Sequence, residues 1–316
     1  RSFKMKKQLL IAAVAATMTS VAMADISISG SAKVNYTNTD FDSGVSTNTL
    51  TREMDLALVG KSGDTTVVMN FGGMDTTGTN PTMEDNYVAT SIEGVSLKAG
   101  AWDNGNNALR ASGRTENHLA LSTSMSGVKV AFDSYGDAAD STVQVSGEVA
   151  GVSASFKQLT NGEDISLSTT VSGVKVSYLA LNRDTVNTDR SVVEISGAFG
   201  GVNAKFSQAD ADTGAAISGD TWMGDFEGNT GTSAYLLSNG QDVTSFELST
   251  SMAGNKVTFR NTKVDGVATE DMSFNKIIVS RPLANGTTFE ATYTDLDDSL
   301  AANDGASLDL ELAVKF

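Results

Sequence analysis

Residues 25–316 alternate apolar and polar side chains with period two almost throughout, and no long stretch carries a helical period. Ile26, Ile28, Ala32, Val34 and Tyr36 oppose Ser27, Ser29, Ser31, Lys33 and Asn35. Met54, Leu56 and Leu58 oppose Glu53, Asp55 and Ala57, and Val128, Val130 and Phe132 oppose Lys129, Ala131 and Asp133. Phe289, Ala291 and Tyr293 oppose Thr288, Glu290 and Thr292. Successive side chains of a strand point to opposite faces, so the pattern predicts a long series of strands with one apolar face. Packed sheets alternate too, but their buried face needs large side chains. Here the second face holds charged residues, Ser, Thr and Ala, which suits a wet lumen better than a dry core.

Each end of the chain carries a signal. Lys6 and Lys7 follow Met5, an apolar run starts at Leu9, and Ala22-Met23-Ala24 has the small-x-small form of a leader-peptidase site. The run is too short for a bilayer-spanning helix, which needs roughly 20 apolar residues. We therefore expect 1–24 to be upstream residues plus a cleaved export signal, and 25–316 to be one β domain. At the other end Leu308, Leu310, Leu312, Val314 and Phe316 share one strand face, with Asp309, Glu311, Ala313 and Lys315 on the other. A strictly alternating strand closing on Phe resembles the assembly signal of outer-membrane barrels.

Between the ends there is a loose repeat. Gly94-Val95, Gly127-Val128, Gly151-Val152, Gly173-Val174 and Gly201-Val202 each close one strand and open the next. The other junctions, such as 38–48, 75–82 and 295–304, are longer and rich in Asp, Asn, Gly and Thr. Short turns at one end and polar loops at the other match a transmembrane barrel. This spacing predicts 16–18 strands. The stretch Gln208–Gln241 is read as a large loop or as one concealing a further hairpin. Tyr36, Trp102, Tyr135, Tyr178 and Tyr293 fall near predicted strand ends, where an interfacial aromatic girdle would lie. Only two prolines interrupt the chain, as suits ladder-paired strands.

Composition excludes several functions. Of the 22 Lys and Arg, four (Arg1, Lys4, Lys6, Lys7) precede Asp25, leaving 18 against 38 Asp and Glu, a net charge of about −20. Nucleic acid and anionic lipid surfaces both require basic patches. No cysteine is present, so disulfides, thiolate metal sites and Cys nucleophiles are absent. His118 is the single histidine, which rules out a multi-histidine zinc site. It shares a face with Ala120 and Ser122 and reads as lining the lumen or its rim, not as a triad member. No cofactor and no enzymatic activity are expected.

Taken in order, the segments 50–63 (LTREMDLALVGKSG), 86–100 (NYVATSIEGVSLKAG), 114–135 (RTENHLALSTSMSGVKVAFDSY), 274–293 and the terminal strand resemble the general porin family of proteobacteria. That resemblance implies an all-β, transmembrane antiparallel barrel in the outer membrane of a Gram-negative bacterium, passing small hydrophilic solutes. It also implies a homotrimer and a terminal strand that engages the barrel-assembly machinery. In the family a long third loop folds into the pore and faces a basic ladder. Lys33 and Arg114 fit ladder positions, whereas Asp55 and Glu84 stand roughly where the family carries arginines. The segment 103–113 is far shorter than the family's constriction loop, so the acidic stretch 208–241 is the candidate for an eyelet. Acids in place of bases predict weak cation preference. Alternatively, the carboxylates pair with Lys98, Lys129 or Arg260 and leave little net field. The competing expectation is a non-conducting barrel with an adhesive or structural role, which large apolar inward residues or a loop packed in the lumen would favour.

Overall fold

The computed structural model describes residues 25–316 apart from 45, 74–81, 104–108, 110–113, 136–140, 213–215, 218–236, 239–240, 267–271 and 299–303. The expected export signal, residues 1–24, lies outside the described residues, as does most of 208–241.

The strands in chain order are β1 Asp25–Phe41, β2 Ser46–Ser62, β3 Thr65–Gly72, β4 Thr82–Ile92, β5 Val95–Asp103, β6 Arg114–Met125 and β7 Val128–Tyr135. They continue as β8 Ser141–Val149, β9 Val152–Leu159, β10 Gly162–Val171, β11 Val174–Arg183, β12 Arg190–Phe199 and β13 Val202–Ala211. The two-residue strands β14 Ala216–Ile217 and β15 Leu237–Ser238 pair only with each other. The series ends with β16 Gln241–Met252, β17 Asn255–Gly266, β18 Met272–Pro282, β19 Thr287–Asp298 and β20 Gly305–Lys315.

Eighteen of these form a single sheet in which every neighbour is antiparallel and β20 pairs back onto β1. The sheet is a closed barrel. Of the expected 16–18 strands, the upper number is the one found. The stretch expected to begin at Gln208 starts later, because β13 continues through Ala211, and it contains the β14–β15 hairpin. Closure also leaves no open edge, which strands in lipid require because every backbone amide must pair.

The glycine repeat has a direct physical cause. Glu93-Gly94, Ser126-Gly127, Ala150-Gly151, Ser172-Gly173 and Ala253-Gly254 all have positive φ at both positions, between 50° and 82°. Two-residue hairpins need that conformation to match the strand twist, and glycine adopts it without a Cβ penalty. These turns gather at one end of the barrel, hereafter the short-turn end. The longer connections gather at the loop end.

Cross-strand partners share a face, so pairing separates the two faces of the whole barrel. One parity carries Ile28, Val34, Leu50, Met54, Val88, Val130, Val145, Ile195, Phe206, Ile277 and Leu312, all more than a third exposed. The opposite parity carries the lysines, arginines and glutamates that pair across strands. The first face is the outer wall and the second lines the interior. At the seam, Gly30 and Phe316 exchange backbone hydrogen bonds of 2.8 and 3.0 Å. A Cβ on Gly30 would stand 2.7 Å from the backbone oxygen of Asp55 and as close to the Phe316 ring, and because the backbone cannot give way cheaply glycine is required there.

Candidate functional site

The inner wall is the surface on which a solute would be handled, and its charges are segregated by strand. From β5 to β18 the described inner positions carry Lys98, Lys129, Lys157, Lys175, Arg183, Arg190, Lys205, Lys256, Arg260 and Lys276. Only Asp133, Glu148, Asp164, Glu194 and Glu247 oppose them there. From β19 through β20 and β1 to β4 the balance reverses. That arc carries Glu290, Asp309, Glu311, Asp25, Glu53, Asp55 and Asp85 against Lys33, Lys61 and Lys315. A basic arc therefore faces an acidic one across the lumen.

Many of these groups are paired within the wall. Lys33 Nζ lies 2.7 Å from Glu53, Lys205 2.5 Å from Glu194 and Arg183 2.8 Å from Asp164. Arg260 donates from Nε and Nη2 to one Glu247 oxygen at 2.9 and 2.6 Å. These partners sit on adjacent strands but 11 to 20 residues apart in sequence, beyond the reach of local patterning. The carboxylates do pair with bases, yet of the three bases expected to neutralise them only Arg260 forms an ion pair among the described residues.

The residues singled out from sequence are dispersed around the wall. Lys33, Asp55, Lys98, Lys129 and Arg260 all occupy inner-face positions. Glu84 follows a register shift between β3 and β4, and shares an open recess of about 370 Å³ with Asp55, Asn70 and Ser31. Its carboxylate fills the space a Cβ at Gly72 would take. Asp55 accepts a 3.0 Å hydrogen bond from Ser31 Oγ. Arg114 begins β6, its backbone opposite Asp103, and its side chain lies outside the described residues.

Sequence reasoning missed two features of this wall. One is a stack of rings on β4–β7. His118 lies between Trp102, 3.7 Å away centroid to centroid, and Tyr135 at 4.5 Å, while Tyr87 meets Trp102 edge-on at 6.0 Å. The Lys98 ammonium rests 3.8 Å from the Tyr87 ring and 4.1 Å from the Trp102 ring. Asp133 approaches His118 Nε2 at 3.5 Å. Trp102 and Tyr135 thus leave the expected outer girdle and face inward. The pairing between β5 and β6 shifts next to this stack, with one extra residue on β6, where Asn117 has a left-handed φ of 50°. Tyr36, Tyr178 and Tyr293 do stand on the outer face.

The other missed feature is apolar. Leu181, Val192, Ala209, Val243, Val264, Met272, Phe274 and Leu296 occupy inner positions near the loop end, yet form a buried cluster with Phe41 and Leu179 at its margin. Leu109, from the segment between β5 and β6, belongs to the cluster and has no exposed surface. Its strands stand across the barrel from β16 and β17, with seven strands between them on either side. The wet second face expected along the whole wall is therefore wrong for the loop-end part of β11–β19. Although short, the segment after β5 sends a leucine across the lumen.

No protein-family model matches this sequence, and no curated protein matches it. Solved structures do match. The barrel is similar to the outer-membrane protein OpdK from Pseudomonas aeruginosa, with a TM-score of 0.68 and 10% identity over 92% of this chain and 98% of that one. It is similar to OccAB4 from Acinetobacter baumannii, with a TM-score of 0.66 and 9% identity over 92% and 98%. OccD3 (OpdP) from Pseudomonas aeruginosa matches at 0.63 and 11% identity over 93% of each chain. The fold is that of an outer-membrane porin. In this porin fold the outer belt is apolar, the short-turn half of the interior is largely polar and charged, and the loop-end interior along β11–β19 is packed with apolar side chains.

Proposed function

We propose that this chain is an outer-membrane diffusion channel for small hydrophilic solutes and ions, in a Gram-negative bacterium, with a weak preference for cations. The carrying observation is a closed barrel of 18 strands whose outer face is apolar and whose interior sets an acidic arc against a basic one. A barrel of this size leaves an aqueous channel unless chain fills it. The short turns face the periplasm and the loops face outward. The solute path is lined by Lys33, Asp55, Glu84, Lys98, Arg114, Lys129 and Arg260, and its opposed arcs orient dipolar solutes. The cation preference rests on Asp55 and Glu84, two carboxylates that line one recess of the wall.

The terminal strand carries the assembly signal on its lipid face, through Leu308, Leu310, Leu312, Val314 and Phe316. A homotrimer follows from the family resemblance and is tested by crosslinking of the folded protein in outer membranes. The preceding residues 1–24 serve as upstream sequence and export signal, tested by the N-terminus of the membrane-extracted protein.

One observation favours a second reading, a barrel closed to solutes that acts through its loops. The buried apolar cluster, with Leu109 inserted, occupies the loop-end interior. Single-channel conductance of the detergent-refolded chain separates the two. Stable steps with a cation-selective reversal potential in a salt gradient support the proposal and its charge argument. Steps with no such selectivity keep the channel and remove the argument. A folded, heat-modifiable barrel that never conducts supports the closed reading.

A further inference from the structure

Bases in the middle of the wall stand beside acids, whereas four of the five at the short-turn mouth have only hydroxyl side chains directly across from them. Lys129 is flanked across strands by Ser124 and Ser146, Lys175 by Thr170 and Ser196, and Lys256 by Ser251 and Ser280. Lys315 is opposite Ser31, and Lys61 lies between Asp25 and Thr66. All five are exposed, lie within two residues of a strand terminus and point inward. No ion pair closes on any of them among the described residues. Their strands are spread around the whole circumference, separated by two to five positions.

The acids at this mouth are Asp25, Asp64, Glu93 and Glu148, and all four lie between β1 and β8. Along the arc from β9 to β20, Lys175, Lys256 and Lys315 have no carboxylate as a direct cross-strand partner. The nearest acids are one strand further off: Glu290 is separated from Lys256 by Ser280, and Glu247 lines one recess with Lys175 and Lys205. The loop mouth has the opposite character, with Asp40, Asp42, Asp184 and Asp189 exposed there. Hydroxyl neighbours leave the ammonium groups of Lys129, Lys175, Lys256 and Lys315 solvated and able to take a third-party anion. Rings of Lys favour anions in pores as rings of carboxylates favour cations.

We infer that the short-turn mouth is an anion-recruiting collar, built by Lys61, Lys129, Lys175, Lys256 and Lys315, that binds small multivalent oxyanions from that side alone. The inference rests on the channel reading above for its electrical consequence, though not for binding itself. Polarised along its axis, the lumen admits cations at an acidic mouth and meets anions at a basic one. Hydroxyls beside each lysine supply further donors for phosphate-like oxygens.

The probe is inorganic tripolyphosphate, applied to one side of a planar bilayer at low salt, where surface charge is least screened. Because the chain lacks cysteine, a Thr160→Cys variant labelled by an impermeant thiol reagent reports which end of each channel faces the addition. Tripolyphosphate is expected to halve the current at about tenfold lower concentration from the short-turn side than from the loop side. In the triple variant Lys129→Gln, Lys175→Gln, Lys256→Gln the two sides should become equivalent, with heat-modifiable folding retained. Equal block from both sides of the unaltered protein, or an asymmetry the triple variant keeps, overturns the collar. Calorimetry of tripolyphosphate on the detergent-folded barrel gives the independent readout. Lysine-dependent binding to a barrel that never conducts keeps the collar and removes the channel. Conduction with no binding removes the collar and keeps the channel.

Discussion

The two halves of the inner wall are built on the same strands and the same parity, yet they differ in what they touch. Towards the loop end Leu181, Val243 and Val264 have no exposed surface. Towards the short-turn end, inner positions include Ser153 and Ser155 of β9, Ser168 of β10, Lys175 of β11 and Lys256 of β17, which are exposed or half-buried. The outer wall shows no such contrast, because lipid imposes one chemistry over the whole belt. Interior chemistry follows occupancy. Where chain fills the lumen the wall turns apolar, and where water fills it the wall keeps hydroxyls and charges.

The largest test of that contrast puts the same charge into each half. Val264→Asp buries a carboxylate among apolar groups with no base beside it, which costs several kcal/mol or raises the group to its neutral form. We expect loss of heat-modifiable folding, or a urea midpoint far below that of the parent. Ser168→Asp places the carboxylate opposite Ser153 and Ser177 in a solvated wall and should change stability by no more than about 0.5 kcal/mol. Similar losses from both variants would mean the halves do not differ in hydration.

A second test removes the plug and leaves the socket. Among the described residues, Leu109→Ala deletes the one fully buried side chain contributed to the cluster from across the lumen. Core leucine truncations cost about 2–5 kcal/mol, the spread reflecting how far the site collapses. Urea unfolding should fall in that range, and single-channel conductance should rise if the leucine narrows the path. A stability change with constant conductance would place the narrowest point elsewhere.

How far this arrangement was readable in the sequence depends on which interactions made it. Strand alternation, the turn glycines and the closing strand are local, so they revealed the barrel and bracketed its strand number. The turn repeat was visible because each of those hairpins demands positive φ at fixed positions. The apolar interior was hidden because runs such as Tyr178-Leu179-Ala180-Leu181 are apolar at both parities, so period two no longer identifies the inner face. Trp102 and Tyr135 were misassigned for a related reason. Nearness to a strand end suggested a girdle, but side-chain direction is set by pairing, which sequence spacing does not give. Lys33, Asp55, Lys98, Lys129 and Arg260 were identifiable as inward by parity. Their partners were not, since Glu53 and Glu247 become neighbours only once hairpin registers are fixed.

The smallest effect expected separates paired from unpaired bases on the wall itself. Arg260 is held by two hydrogen bonds to Glu247, and both side chains are about a quarter exposed or less. Arg260→Met leaves that carboxylate half-buried without its cation, opposite Lys205 as its remaining cross-strand base. Lys205 is already 2.5 Å from Glu194, so relief from it is partial. Removing one partner of a charged hydrogen bond costs about 1–3 kcal/mol, and partial exposure places this case at the lower end. Lys129→Met removes a lysine flanked only by hydroxyls and should stay within about 0.5 kcal/mol of the parent. Raising the salt concentration should shrink the Arg260 loss and leave the Lys129 value unchanged, because only the first variant exposes an uncompensated charge inside the wall. Equal losses for the two variants would indicate that the lysine has a carboxylate partner in solution, and the distinction between a neutralised mid-wall and an open basic mouth would then fall.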